Sequence, residues 1–110
     1  MKTVTCEIVR RFVVAPNQIE TFESSYGSDG PWARLFRNVP SYRGTKLIAD
    51  VLQTGRYIAI DEWSSYQAYL DFKNDHSDAF AALDSACGPL IISVEFFGAF
   101  RVVRSQTDIS

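Results

Sequence analysis

The segment FKNDHSDAF, residues 72–80, contains the single histidine of this chain, His76. Histidine is the side chain that ionises nearest neutral pH, so it is the first candidate for proton transfer or for axial ligation of a metal. In one unbroken helix, His76 would lie on the same side as Tyr69 and Phe72. That geometry would make His76 a catalytic residue.

The residues on either side of His76 favour a different interpretation. Asp75 and Ser77 are both good helix-capping residues, and they predict a break between two helices at residues 74–77. At such a break His76 would be a partly exposed joint residue near the last carbonyl groups of the first helix. We therefore interpret His76 first as a joint and second as a candidate base.

Arg10 is the second residue with unusual chemistry. Alternation along residues 3–14 places Arg10 on the apolar face, between Ile8 and Phe12. A buried guanidinium needs a partner or an anionic ligand, such as a phenolate or an enolate. A β-bulge near Arg10 and Arg11 would instead turn the side chain outward, and this is the interpretation that we favour.

Asp61 is a candidate partner for Arg10. It lies on the same face as Trp63 in a predicted strand, where it would either pair with Arg10 or act as a base. A carboxylate is more often exposed than buried, so we expect Asp61 at the surface.

Several aromatic residues have the spacing needed to line a dry pocket beside these groups. Aromatics at helical spacing more often form the protein core, so the core is the first interpretation and a substrate pocket the second. The candidate substrate-binding residues are Tyr26, Trp32, Trp63, Tyr69 and Phe72.

Composition restricts the classes of partner. The chain has 110 residues, of which 46% are hydrophobic, and this predicts a single domain over residues 1–110. Its net charge is −2 and neither sign forms a long run, so nucleic acid and anionic membranes are not expected as partners. Charges at Lys2 and Glu7 interrupt the start, and no apolar stretch approaches the roughly 20 residues that span a bilayer. We expect a cytoplasmic location.

The two cysteines match no metal-binding or redox spacing. Cys6 and Cys87 are far apart in the sequence, and we expect both to be buried free thiols. One histidine and two distant cysteines do not make a zinc site, so no metal is expected.

Hydrophobic periodicity predicts the order β-α-β-β-α-β. That order predicts an α+β, ferredoxin-like sandwich, with a four-stranded antiparallel sheet and both helical segments on one face. Strands are predicted at 3–14, 42–53, 56–63 and 90–103, with a hairpin turn through Gln53 to Arg56; helical pieces are predicted from Pro16 to Tyr26, from Pro31 to Val39 and from Ser65 to Cys87, with the break described above.

Such a fold leaves the second face of the sheet uncovered. Strict alternation in the last strand places Leu90, Ile92, Val94, Phe96, Phe100 and Val102 on the helix side. The other side would carry Ile91, Phe97 and Val103 beside Ser93, Glu95 and Arg101. That side is too apolar for comfortable exposure, so we expect homodimerisation through it.

Three stretches of the sequence resemble a known family. They are GRYIAIDEWSSYQAYLDFK with its Glu62, Trp63 and Ser65, FAALDSACGPL with Ala82, Leu83, Asp84 and Cys87, and VPSYRGTKLIAD. Together they are similar to the antibiotic biosynthesis monooxygenases, a family of dimeric α+β barrels, over roughly residues 4–100. The resemblance implies a pocket between sheet and helices in each subunit.

The resemblance also implies several functions. Some members of the family oxidise polycyclic phenols with molecular oxygen and without metal or flavin. We therefore predict a cofactor-independent monooxygenase of a small aromatic or quinol-type substrate, with molecular oxygen as second substrate and His76, Arg10 and Asp61 as candidate catalytic residues. A noncatalytic small-molecule-binding or regulatory dimer is the alternative.

Other members of the family degrade haem. The resemblance would require an asparagine on the first strand and a tryptophan where this chain has Phe72, and neither is present. We do not expect haem degradation, although His76 leaves simple haem binding open.

Overall fold

The computed structural model describes residues 5–103. Four strands and four helices follow each other along the chain, and one turn of 3-10 helix precedes both the first helix and the last strand. The elements are β1 (Cys6–Val14), α1 (Ile19–Tyr26), α2 (Pro31–Phe36), β2 (Tyr42–Ala49), β3 (Arg56–Trp63), α3 (Tyr66–Asp75), α4 (Ser77–Cys87) and β4 (Ile91–Arg101). Thr3 and Val4, where the first strand was predicted to begin, lie outside the described residues.

The strands form one antiparallel sheet in the order β2-β3-β1-β4, so β2 and β4 are its edges. Alternate residues of the central strands β1 and β3 are buried against the helices. The predicted α+β, ferredoxin-like fold is confirmed. Its core is mostly aromatic and is built around Phe22, Tyr26, Trp32, Phe36, Trp63 and Phe72.

The break between the last two helices is also confirmed. Helix α3 ends at Asp75 and α4 begins at Ser77, so His76 is the junction, with φ −121° and ψ 34°. At the other end of α3, the Ser65 hydroxyl accepts a hydrogen bond from the Ala68 amide at 3.0 Å. This cap fixes where the chain leaves β3 and enters the helix.

The hairpin between β2 and β3 is present, but its turn is longer than predicted. Strand β2 ends at Ala49, because the Asp50 carboxylate accepts hydrogen bonds from the amides of Leu52 and Gln53 and folds the chain away from the sheet. Gly55 returns the chain to β3 with φ +90°, a conformation that favours glycine.

Strict alternation in β4 is wrong, because the register with β1 shifts twice. Val9 pairs with Gly98 and Arg10 with Phe96, so Phe97 is an extra residue. A second shift, between Val13 and Val14, brings Ile91 opposite the buried Val14. Directly paired residues share a face, so Ile91 lies on the helix side, whereas Phe100, which pairs with Glu7, lies on the open side.

The two cysteines and the absence of a membrane-spanning helix were also predicted. Cys6 and Cys87 are buried free thiols, as predicted. Between residues 5 and 103 no helix has the length and apolar character needed to cross a membrane.

Candidate functional site

Arg10 points into the protein. The register shift beside it is accommodated by the extra residue in β4, and the pairing of β1 with β3 runs without a shift, so Arg10 keeps the direction that alternation gives it. Its guanidinium carbon lies 5.6 Å from the ring centre of Phe12 and 5.7 Å from that of Trp32. The prediction that a bulge turns Arg10 outward is therefore wrong.

Asp61 is the partner of Arg10. An Arg10 Nη2 hydrogen is donated to Asp61 Oδ2, with 2.8 Å between the two atoms. Asp61 is only 2% exposed, so the expectation that it lies at the surface is wrong, for a clear reason. A carboxylate can be buried when a guanidinium neutralises it and its remaining oxygen is hydrogen-bonded.

The second oxygen of Asp61 is held by a pair of hydroxyl groups on β2. Thr45 Oγ1 donates to Asp61 Oδ1 at 2.7 Å. The Tyr42 hydroxyl makes a short hydrogen bond with Thr45, and because the Thr45 proton is already directed at Asp61, Tyr42 is the donor. Consecutive hydrogen bonds thus link Tyr42 to Thr45, Thr45 to Asp61 and Asp61 to Arg10. We call these four residues the Asp61 network.

Sequence reasoning missed Tyr42 and Thr45. Thr45 lies directly opposite Asp61 in the pairing of β2 with β3. A threonine across from a buried carboxylate is a usable signal, but only once the strand register is known.

Three buried nitrogen donors have no partner among the described residues. They are Arg10 Nε, Trp32 Nε1 and Trp63 Nε1, of which Trp32 Nε1 interacts with the Tyr26 hydroxyl without the geometry of a full hydrogen bond. Burying a donor without a partner costs about 1–3 kcal/mol, so each of these nitrogens is a candidate contact for a water molecule or a ligand atom. Arg10 Nε and the Trp32 indole are close to each other, because the guanidinium lies over the Trp32 ring.

Tyrosines around this cluster keep their protons at physiological pH. Burial raises the pKa of Tyr26, and the charge of Arg10 offsets only part of that effect. Burial also raises the pKa of Tyr69, again against the opposing charge of Arg10. Both hydroxyls are therefore neutral groups beside a cation, available as hydrogen-bond donors and not as bases.

The five aromatic residues predicted to line a pocket are all buried in the core. Tyr26 and Trp32 pack against each other with ring centres 5.9 Å apart, and Trp32 packs edge-on against Phe80 at 4.9 Å. The other three, Trp63, Tyr69 and Phe72, form a second group around the end of β3. Their rings fill the space between sheet and helices where the resemblance implies a pocket, and substrate binding by them stays a prediction.

The edge of the sheet next to Arg10 is open on the helix side. Phe96 pairs with Arg10, and Val94 pairs with Phe12, so both side chains point toward the helix layer. They are nevertheless 53% and 55% exposed, because the helices do not extend over β4. Exposed apolar side chains of β4 therefore lie beside Arg10 in the sheet.

His76 lies outside the Asp61 network. Its ring stacks on Phe72 with centres 4.6 Å apart, and its Nδ1 is 3.4 Å from the Phe72 carbonyl oxygen. These contacts suit a residue that stabilises the junction of α3 and α4. A catalytic role for His76 stays a prediction.

A separate concavity of about 310 Å³ lies on the open face of the sheet. It is lined by Arg11, Ile48, Arg56, Ile58, Glu95 and neighbouring residues. Neither Arg10 nor Asp61 contributes to it, so it is distinct from the Asp61 network.

No family model matches the chain, and no curated protein matches it. Solved structures do match, and several of them are antibiotic biosynthesis monooxygenase-like proteins. This chain shares their fold, so the resemblance is confirmed at the level of the fold. A candidate antibiotic biosynthesis monooxygenase from Bordetella bronchiseptica aligns with a TM-score of 0.69 and 15% identity, over 96% of this chain and 100% of that chain.

Two further structural neighbours are a cofactor-independent oxygenase and a dimeric protein. SnoaB, a cofactor-independent oxygenase from Streptomyces nogalater, aligns in a mutant form with a TM-score of 0.67 and 23% identity, over 94% of this chain and 95% of that one. A dimeric ferredoxin-like protein of unknown function from Thermobifida fusca aligns with a TM-score of 0.59 and 15% identity, over 93% and 92% of the two chains. At these identities the likeness establishes the fold alone.

Proposed function

We propose that this protein is a cofactor-independent monooxygenase of a small phenol- or quinol-type aromatic substrate. The observation that carries the proposal is Arg10 Nε, a buried cationic donor that no residue between 5 and 103 accepts from, next to the Trp32 ring. A fold shared with a cofactor-independent oxygenase supports it.

The first role of the site is to bind the substrate as an anion. A phenolate or enolate oxygen would accept a hydrogen bond from Arg10 Nε, at the end of the guanidinium that Asp61 leaves free. A charge-assisted hydrogen bond of this kind favours the ionised form of the bound phenol. The substrate ring would reach the site along Val94 and Phe96, and the aromatic surroundings would exclude water.

The ionised substrate supplies the electrons. Loss of a proton places an electron pair on a ring carbon, and that pair reduces molecular oxygen as a carbon–oxygen bond forms. Protonation gives a hydroperoxide, and loss of water leaves a carbonyl group. One oxygen atom ends in the product and the other, with two hydrogens from the substrate, ends in water.

The other candidate residues have supporting roles in this proposal. Asp61 accepts hydrogen bonds on both oxygens, from Arg10 and from Thr45, so it orients Arg10 and is not the base. Tyr26 and Tyr69 are neutral donors near the developing anion. In this proposal His76 is a joint residue at the junction of α3 and α4, and proton transfer by His76 is the alternative that His76→Ala tests.

Oxygen uptake with a panel of anthrone-like and hydroquinone-like compounds tests the proposal. We expect uptake by the wild-type protein and a loss of about 100-fold or more in Arg10→Gln, because the variant removes the cation. Arg43→Gln is the matched control, since Arg43 is an exposed arginine on β2. Tight binding of one compound without uptake would favour the noncatalytic binding dimer, and a Soret shift on adding haem would favour haem binding.

We also propose that the protein is a cytoplasmic homodimer. Apolar side chains on β4 and on the open face of the sheet are exposed in the single chain, among them Ile48, Phe97 and Phe100. Burying them against a second copy would remove a large apolar surface from water. Light scattering at micromolar concentration tests the dimer, and a monomeric mass would contradict it; cell fractionation tests the location.

A further inference from the structure

The two arginines in the middle of β1 bind their carboxylates differently. Arg11 uses both Nε, at 3.1 Å, and Nη2, at 2.7 Å, to contact the same oxygen of Glu95. Arg10 uses Nη2 alone to contact Asp61, and its Nε has no partner in the described part of the chain. Arginine–carboxylate pairs are frequently bidentate, so the single contact between Arg10 and Asp61 needs an explanation.

The explanation lies in the other oxygen of Asp61. Thr45 Oγ1 donates to Oδ1 at 2.7 Å, and the Tyr42 hydroxyl donates to Thr45 in turn. The Thr45 contact fixes the orientation of the carboxylate, and in that orientation Oδ2 meets Nη2 of Arg10 and not Nε. Burial raises the pKa of Tyr42, so its hydroxyl stays protonated and remains a donor.

We propose that Thr45 and Tyr42 are positioning residues, which hold Asp61 in a single-contact pair with Arg10 and so keep Arg10 Nε free for the oxygen anion of the substrate. This inference rests on the proposed function, and it narrows the substrate class to aromatic compounds that bind as phenolates or enolates. Neither residue touches the reacting atoms, and both act through Asp61.

The first test follows the Arg10 Nε–H directly by nitrogen-15 NMR, with the signal assigned from its absence in Arg10→Lys. Thr45→Val removes the hydroxyl at nearly constant volume. We expect the Arg10 Nε–H signal of Thr45→Val to move in the absence of any ligand, because Asp61 turns and takes the Nε–H. Thr45→Ser restores the hydroxyl, and we expect its signal to lie close to the wild-type position.

The second test uses 4-nitrophenol, whose absorbance reports whether the bound molecule is ionised. We expect wild-type protein to bind the phenolate, Thr45→Val to bind it about 10-fold more weakly or worse, and Thr45→Ser to stay within about 3-fold of wild type. Tyr42→Phe should lie between them. Tyr66→Phe, at an exposed tyrosine of α3, is the control and should bind as wild type does.

An unmoved Nε–H signal in Thr45→Val overturns the inference, whether or not 4-nitrophenol binds. So does a Thr45→Ser variant that behaves like Thr45→Val, since packing and not the hydroxyl would then be responsible. Melting curves of each variant identify any that fail to fold. Absence of oxygen uptake by wild-type protein, with the Nε–H shift and phenolate binding intact, would reject the monooxygenase and leave the positioning role standing.

Discussion

Arg10 and Arg11 are neighbours in β1, so their side chains lie on opposite faces of the sheet. The surroundings of the two side chains differ. The nitrogen–oxygen distances of their ion pairs are nearly equal, 2.8 Å to Asp61 and 2.7 Å to Glu95. The side chains of Arg10 and Asp61 are 14% and 3% exposed, whereas those of Arg11 and Glu95 are 54% and 58% exposed. Equal contact distances therefore do not imply equal energies, because water screens only the second pair.

The same contrast extends over the two faces. On the helix side, aromatic rings pack around Arg10, and its partner Asp61 is held within the Asp61 network. On the open side, apolar residues flank the exposed pair of Arg11 with Glu95 and a concavity. In our proposals the helix side binds the substrate, and the open side forms the interface with a second copy.

Removing one member of the buried pair should have the largest effect. We expect Asp61→Ala to lower the free energy of unfolding by about 3–5 kcal/mol, because it leaves the Arg10 charge buried without a counter-charge. Glu95→Ala, the matched change on the open face, should cost less than about 1 kcal/mol. Urea denaturation measures the free energy of unfolding of both variants. Similar losses in the two variants would show that the buried and the exposed pair contribute equally.

A double replacement separates charge burial from packing. Arg10→Met with Asp61→Leu should recover most of the stability that Asp61→Ala loses, since an apolar pair of similar volume removes both charges. A double variant as unstable as Asp61→Ala would show that lost packing, and not the unpaired charge, causes the destabilisation.

Isoleucines on the two faces give the next comparison. Ile8 is fully buried under the helices, so Ile8→Ala should cost about 2–5 kcal/mol through lost burial and the cavity that remains. Ile48 is exposed in the single chain, and Ile48→Ala should cost less than about 1 kcal/mol at low protein concentration. A cost that rises with protein concentration would place Ile48 in the homodimer interface.

Tyr57, near the start of β3, tests whether burial also raises a tyrosine pKa away from the Asp61 network. Its hydroxyl donates to Glu23 Oε2 at 2.6 Å, and burial, reinforced by Glu23, raises its pKa from 10.0 to about 12. The folded state then binds this proton more tightly than the unfolded state. Its contribution to stability is complete below pH 10 and is lost as the pH rises toward 12.

In Tyr57→Phe the free energy of unfolding should therefore fall less steeply as the pH rises toward 12. At neutral pH it should be lower than in the wild type by about 1–2 kcal/mol, because the hydrogen bond is lost. Urea denaturation at a series of pH values from 8 upward measures both effects. Tyr66→Phe is again the control, because Tyr66 is exposed. An unchanged pH dependence in Tyr57→Phe would assign the alkaline decline to other groups.

The sequence predicted the fold well because local signals agree with it. Alternation in β1, capping by Ser65 and the break at His76 each depend on a few adjacent residues, and each is present in the structure. The register of β4 was not predictable in this way, because the shift at Phe97 depends on pairing with a distant strand. Non-local pairing leaves no periodic signal within the strand itself.

The candidate site was predicted only in part, for the same reason. Arg10 was identified as anomalous from its position in the alternation, and Asp61 was named as its possible partner. Their burial was predicted wrongly, because a base rate for exposed charges does not include the hydrogen bonds that compensate one particular carboxylate. Thr45 and Tyr42, which provide that compensation, come from another strand and become recognisable only through its pairing with β3.

His76→Ala should give the smallest effect of these changes, and it tests whether the helix-side site extends beyond the Asp61 network. As a joint residue it contributes one stacking contact with Phe72 and a long hydrogen bond to that residue's carbonyl, so His76→Ala should cost about 1 kcal/mol or less. Oxygen uptake by the variant should remain within a few-fold of wild type, with an unchanged pH profile. Lost uptake at an unchanged melting temperature would contradict the joint interpretation: His76 would then be the base that the Asp61 network does not provide, and the site would extend from Arg10 to the junction of α3 and α4.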